Sequence, residues 1–265
     1  MKIPFLHRAP RVAVLRLHGV IAAHGRGALS DAALAPMIER AFARRRNLRA
    51  VAMVINSPGG SPVQSSLIAS RIRRLADRHE IPVHAFVEDV AGSGGYWLAT
   101  AADQIWCDPA SILGSIGVVS AGFGFHELLE RHGVERRLYT AGQSKSLLDP
   151  FKPERPEDVA RLRAILEPMH VIFKEQVRTR RGARLAKDRD LFTGDIWIGQ
   201  QAVDLGLADG IAHLQPKMRA LYGDDIRFSV YGVRQPFLRR LGLSAEAVID
   251  AAEEAAAFAR FGAQR

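Results

Sequence analysis

Cysteine is almost missing from this chain. Cys107 stands alone among 265 residues, so no disulfide can close within the molecule, and a metal site would have to be built almost wholly from histidine and carboxylate. Long apolar runs are missing too, since no window approaches the roughly 20 residues that a spanning helix needs. The segment Met1 to Arg11 carries cations with no long apolar region behind them, and Arg16 interrupts Val12 to Leu17. That pattern argues against a secretory signal and leads us to expect a soluble, cytoplasmic protein, or one held peripherally at the inner membrane. There is no tripeptide glycine period, biased tract or solenoid repeat, which excludes collagen, disorder and repeat arrays.

What is present describes a folded globular chain: 48% hydrophobic and 25% charged residues, enough to bury a core without staples. The formal net charge is +9, which raises the question of an anionic partner. Lysine, however, supplies only six of the thirty-seven Lys and Arg residues. An Arg-heavy, Ala-rich composition is read here as coding bias rather than as a nucleic-acid footprint, and no nucleic-acid partner is expected. The scarcity has a chemical consequence. Arginine keeps its proton in a protein, so chemistry that needs a neutral amine must use one of six lysines.

Short β-branched runs alternate with amphipathic segments from Val12 onward. Strands are predicted at Val12 to Leu17, Ala50 to Ile55, Pro82 to Val87, Gln104 to Trp106, Gly117 to Val119 and Glu135 to Thr140. Helices are predicted from Ser30 to Arg46, Pro62 to Leu75, Gly94 to Ala102 and Phe125 to Arg131, with a long one from Pro156 to near Gly182 in which Pro168 introduces a kink, and a short one from Ile196 to Leu205. The alternation implies a parallel sheet with helices outside, an α/β fold. Residues 1–11 read as an N-terminal segment, 12–232 as a single domain, and 233–265 as a basic linker with a C-terminal helical appendage.

Three glycine-containing turns fall where strands should end: Asn56 to Ser61, Ala91 to Tyr96, and Gly114 to Gly117. In an open parallel sheet, sites assemble beyond the carboxyl ends of the strands. Ser93, flanked by Gly92 and Gly94, would sit on a tight turn at the start of a helix. Two readings stand for it, a structural N-cap and a nucleophile. Ala91 rules out G-x-S-x-G. A nucleophilic serine needs a base. None of the nine histidines carries a surrounding signature, whereas Lys145 lies in a loop directly after a predicted strand, and burial would lower its pKa from about 10.4 towards neutrality.

Ser57-Pro58-Gly59-Gly60, Gly92-Ser93-Gly94-Gly95-Tyr96, Gly114-Ser115-Ile116-Gly117-Val118 and Lys145 to Phe151 together resemble the signal peptide peptidase A family of serine proteases, including its SohB branch, within the Clp protease/crotonase superfamily. The resemblance runs from about Arg11 to Ile211. It implies a repeated β-β-α superhelix, Ser93 as nucleophile, Lys145 as general base of a Ser/Lys dyad, Ser115 as the hydroxyl that orients the lysine, and the amides of Gly60 and Gly94 as the oxyanion hole. It also implies no cofactor or metal, peptide or unfolded-protein substrates resembling signal peptides, and a homo-oligomeric ring in which neighbouring protomers share the dyad. Two departures stand out. The membrane anchor common in members that process signal peptides is not found here, leaving peripheral membrane contact as the expectation, and Leu147-Leu148 follow Lys145-Ser146 where smaller residues are common. The competing readings are a crotonase-like acyl-CoA enzyme, which gives Ser93 and Lys145 no role, a Clp-type triad, for which His126 is a poor match, and a non-catalytic scaffold or membrane-surface binding protein.

Overall fold

The computed structural model describes residues 9–25, 27–43, 47–142, 145–232, 252 and 255–262. The chain divides into two compact units, Met1–Ile116 with Lys174–Arg265, and Gly117–Phe173.

The first unit is built on an eight-stranded sheet. Its main path runs β6 (Ile196–Ile198), β5 (Ile112–Gly114), β3 (Val83–Gly92), β2 (Leu48–Ser57), β1 (Arg11–His18) and β8 (Arg227–Tyr231). β4 (Gln104–Cys107) also pairs with β3, and β7 (Gly210–Ile211) with β4. Every pairing is parallel except β5 with β6. β1, β2 and β3 are near-continuous buried runs, as parallel strands covered on both faces must be. On one face Val12, Val14, Ala52, Val54 and Phe86 pack with Met218 of α7 (Leu214–Tyr222). The alternate residues, among them Leu15, Leu17, Met53 and Ile55, are buried on the other.

Helices α1 (Asp31–Ala43) and α2 (Pro62–His79) each bury one apolar side, Leu34, Ile38 and Phe42 in α1 and Ile68 and Ile72 in α2. They are tied by a bidentate pair, with Arg71 Nε and Nη2 each donating at 2.7 Å to the two Asp31 oxygens. The guanidinium holds the Asp31 carboxyl below its usual range. Ser61 caps α2, accepting from the Gln64 amide, and Pro62 occupies the first helical position, where a missing N–H costs nothing.

β3 is paired twice along its length. Residues 84–87 face β4 and residues 90–92 face β5, while its register with β2 slips between Ile55 and Ser57. The slip leaves Asn56 to donate its side-chain amide to Asp89. It also delivers the end of β3 to a new partner just before the short helix α3 (Gly94–Ala99).

The second unit contains α4 (His126–Arg131) and the first two-thirds of α5 (Pro156–Arg181), with long connecting segments. α5 continues through Pro168 as one helix. Glu135 to Thr140, expected to be a strand, is irregular, as is Gly117 to Val119. Arg136 and Arg137 break the apolar alternation in the first of these, and Tyr139 is 90% exposed. The helix expected over Ile196 to Leu205 is instead β6 followed by α6 (Gln200–Asp204). Gly199 divides them at φ +42°, pressed so close to Pro109 that an added Cβ would lie 1.9 Å from its carbonyl oxygen. The expected C-terminal helix falls mostly outside the described residues; a helical turn is present at 255–259.

Candidate active site

The three glycine turns converge in the first unit. Gly59 takes φ +103° and lies against the second turn: a Cβ there would meet Gly94 N at 2.7 Å and Ser93 Cβ at 2.8 Å. A Cβ on Gly95 would lie 2.4 Å from Ser57 O. The third turn joins through backbone, because Ser93 N donates to Gly114 O at 2.8 Å. Ser115, the next residue, is thereby brought beside Ser93. Only residues without side chains permit this stacking, which is the physical reason for the glycines in all three motifs.

Ser93 adopts φ +49°, ψ −120°, a sparsely populated conformation for a residue bearing a Cβ and one that costs on the order of 1–3 kcal/mol. Its side chain makes no capping bond to α3. The structural N-cap reading therefore fails, and the hydroxyl is presented on a strained strand-to-helix turn of the nucleophile-elbow kind. The sequence pattern G-x-S-x-G does not report this geometry here, since the preceding Gly92 and the Gly59 contact supply the needed space.

The two amides expected as oxyanion donors come from touching segments. An added Cβ on Gly94 would lie 3.4 Å from Gly60 N. Ser93 N is engaged by Gly114 O, whereas Gly94 N, at the first position of α3, is an amide the helix cannot partner. Among the described residues Gly60 N donates to no backbone carbonyl. Its turn is fixed from the far side by Ile21, which accepts from Ser61 N at 2.7 Å and donates to Gly59 O at 2.8 Å. Ile21 carried no sequence signal, because it acts through its backbone.

A buried frame holds α3. Tyr96, fully buried, donates its hydroxyl to Leu207 O at 2.9 Å, and burial pushes the phenol well above its ordinary pKa. Arg181 donates to Gly206 O and to Asp209, both at 2.8 Å, and Asp209 also accepts from Ile105 N. Arg180 holds Thr100 O and Ala102 O at the other end of α3. Gly206 to Asp209 thus brace the serine's helix. Ser115 is braced in turn by its backbone amide, which donates to Asp195 O at 2.7 Å, with Trp197 against Gly114.

Lys145 belongs to the second unit. It is exposed, in a turn spanning 145–148, with its amide donating to Gly142 O at 3.3 Å. The following residues are anchored: Asp149 pairs with Arg136 at 2.6 Å and accepts from Phe151 N, and Pro150 O accepts from Phe125 N. A cavity of about 600 Å³ within this unit is lined by Gly122, Phe123, Ser146, Leu148 and Asp149 among others. Ser93, Ser115, Gly60 and Gly94 are in the first unit. Among the described residues no group of three or more His, Cys, Asp or Glu is arranged to hold a metal; His126, the histidine of the triad reading, lies on α4 of the second unit, the unit that also carries Lys145.

No helix among the described residues is long and apolar enough to cross a membrane. The chain is 46% identical over 271 residues to a protein of Brucella abortus named Na(+)/H(+) antiporter NhaA, covering 95% of this chain and 37% of that protein. It is 30% identical over 211 residues to the chloroplastic serine protease SPPA of Arabidopsis thaliana, covering 77% of this chain and 31% of the relative. With the probable protease SohB of Haemophilus influenzae the identity is 32% over 200 residues, 74% of this chain and 55% of the other. The chain thus spans roughly a third to a half of the length of these curated relatives. The profile of peptidase family S49 matches residues 76–221, more than half of the chain and inclusive of Ser93, Ser115 and Lys145. With an α/β sheet that ends in a strained serine turn, this match establishes that the chain belongs to peptidase family S49.

Proposed function

We propose that the protein is a serine endopeptidase that hydrolyses peptide bonds through a Ser93/Lys145 dyad. The observation that carries the reading is the Ser93 turn: positive φ, a hydroxyl not spent on capping, and the Gly59-Gly60 segment stacked against it. In this scheme neutral Lys145 Nζ takes the Ser93 proton while Oγ attacks the substrate carbonyl. The amides of Gly60 and Gly94 receive the developing oxyanion, each donor worth about 2.7–4 kcal/mol. The protonated lysine then passes its proton to the leaving amine, and a water activated by the same lysine releases the acyl group. Ser115, beside Ser93, orients the lysine.

Lys145 needs a desolvated setting to act as a base, and it is exposed in this chain. Assembly of several copies would supply that setting. Support comes from the second unit's surface, where Phe123, Tyr139, Ile165 and Ile172 are more than half exposed, apolar side chains that a neighbouring copy would cover. A ring of such chains favours extended or unfolded substrates, including signal-peptide-like segments. A peripheral place at a membrane face is supported by the antiporter-named relative, in which a stretch matching this chain makes up 37% of the length.

The test is hydrolysis of unfolded proteins and fluorogenic peptides by wild type, Ser93→Ala and Lys145→Ala across pH 7 to 10. The proposal expects the wild type to be active and both variants to be inactive throughout this range. Equal turnover by all three overturns it.

A further inference from the structure

β3 changes partner midway, and a cavity opens at the change. Its last register pair with β4 is Val87 with Cys107, and its first with β5 is Val90 with Ile112. Glu88 and Asp89, between them, are paired with neither strand. Neighbours on a regular strand turn to opposite faces, but the slip against β2 at this point lets both residues line one space. The β4–β5 connection arches past the gap and is tied to it by Ser111, whose hydroxyl donates to Val87 O at 3.0 Å and accepts from Asp108 N at 2.9 Å. The cavity so formed measures about 360 Å³, within the range of small-ligand pockets. Val54, Phe86 and Leu214 give it apolar walls, while Glu88, Asp89, Asp108 and His213 supply polar ones. All of these residues belong to the first unit.

The charge in this cavity runs against the rest of the molecule. The chain carries a formal +9, and elsewhere arginine answers its carboxylates: Arg71 pairs with Asp31, Arg73 with Asp103 and Arg181 with Asp209. Among the described residues no lysine or arginine lines the cavity or ion-pairs with its three carboxylates. Glu88 meets His18 at 3.1 Å, Asp108 meets His213 at 2.7 Å and the Ala110 amide, and Asp89 accepts from the neutral Asn56 amide. His18, with Arg16 acting from farther off, holds the Glu88 carboxyl below its ordinary pKa, and the Ala110 amide and His213 do the same for Asp108. The mouth is open, since Glu88, Asp89, Ala110 and His213 are exposed. We propose that this cavity binds a basic side chain, arginine above all, presented by a segment of a partner protein. The apolar walls take the methylene stem. The guanidinium, with five donors in a planar fork, reaches Glu88 and Asp89 from β3 and Asp108 from the β4–β5 connection together, which the compact lysine ammonium does less well. The inference makes no use of Ser93 and stands apart from the peptidase reading.

The experiment is fluorescence anisotropy on the full chain carrying Ser93→Ala, so that no peptide is consumed. The probes are labelled, capped Gly-Leu-Arg-Leu-Gly and the same peptide with lysine or neutral citrulline in place of arginine. The arginine peptide should bind about tenfold or more tighter than the citrulline one, with lysine between. Glu88→Gln and Asp89→Asn should each weaken the arginine peptide about tenfold, the scale of one hydrogen bond to a charged group, and leave the citrulline peptide unmoved. Ala212→Trp, which fills the cavity from the wall beside His213, should abolish binding of all three. If that variant does not fold, as judged by circular dichroism, the two carboxylate variants at exposed positions decide the matter. Equal binding of the arginine and citrulline peptides, no binding of the arginine peptide at about 1 mM, a concentration that would reveal even a contact of about −4 kcal/mol, or binding indifferent to Glu88 and Asp89 overturns the site. Copies of the chain that associate in analytical ultracentrifugation and are parted by the arginine peptide would make the occupant a second copy and overturn the partner protein. Loss of peptidase activity in Ser93→Ala, or its absence from wild type, bears on the peptidase reading alone.

Discussion

The two units of this protein are specified in different ways. In the first, backbone meets backbone: a Cβ on Gly60 would lie 2.0 Å from Ile21 O, and one on Gly206 would lie 1.8 Å from Arg184 O. In the second, Gly122, Gly133 and Gly142 have nothing within 4 Å of where a Cβ would stand, and large apolar side chains face outward. The first unit holds a strained serine in a fixed frame of close backbone contacts, while its outlying turns at Gly182, Gly194 and Gly223 are as open as those of the second. The second carries its lysine on an open loop and leaves apolar surface uncovered. In the proposed mechanism the nucleophile and its oxyanion donors all lie in the first unit, while the base lies in the second.

Substitutions test that contrast directly. The largest effect is expected from Gly60→Ala, where overlap with a backbone carbonyl exceeds ordinary overpacking; more than about 3 kcal/mol of stability should be lost in urea unfolding. Arg181→Met leaves Asp209 and Gly206 O without their buried partner and should cost about 3–5 kcal/mol. Next comes a pH effect in the first unit. His84 is buried, with Nε2 3.0 Å from the Tyr222 hydroxyl, and burial holds its pKa below 6.5. The unfolded chain therefore takes up a proton that the folded chain refuses, so stability is fully present above pH 6.5 and falls as pH drops towards the folded pKa. The fall, read as urea-unfolding stability against pH, should be flattened in His84→Gln. In the second unit Gly133→Ala meets no neighbour and is opposed only by its positive φ, a cost of about 1 kcal/mol. Smallest is Tyr139→Ser, expected to change monomer stability by less than about 0.5 kcal/mol while weakening assembly in analytical ultracentrifugation. A Gly133→Ala loss as large as that of Gly60→Ala would erase the contrast between the units.

The legible parts of the sequence follow the same division. Buried parallel strands announce themselves as continuous apolar runs, so β1, β2 and β3 were readable, as was α5 from its acidic first turn and basic last one. The turns at Ser57, Ser93 and Gly114 were readable as glycine clusters at strand ends. Their stacking was not, because it depends on a register slip in β3 that leaves no mark on composition. Ile196-Trp197-Ile198 is too short for periodicity to separate strand from helix. Glu135 to Thr140 pairs with no strand among the described residues, and Arg136 and Arg137 interrupt its apolar alternation. Asp209 and Arg181 gave no signal at all, since a buried ion pair formed by residues this far apart in sequence is invisible until the chain folds. Lys145 is singled out by the rarity of lysine, by its place in a loop after a predicted strand and by the resemblance over Lys145 to Phe151.

The most direct measurement is the site and rate of modification by a serine-directed phosphonate, read by peptide mass spectrometry on wild type, Ser93→Ala and Lys145→Ala. The account predicts a single adduct on Ser93 in wild type, none in Ser93→Ala, and modification slowed by about a hundredfold or more in Lys145→Ala, the usual scale of a positioned base. An adduct on another serine, or equal modification of Ser93 with and without Lys145, would contradict it.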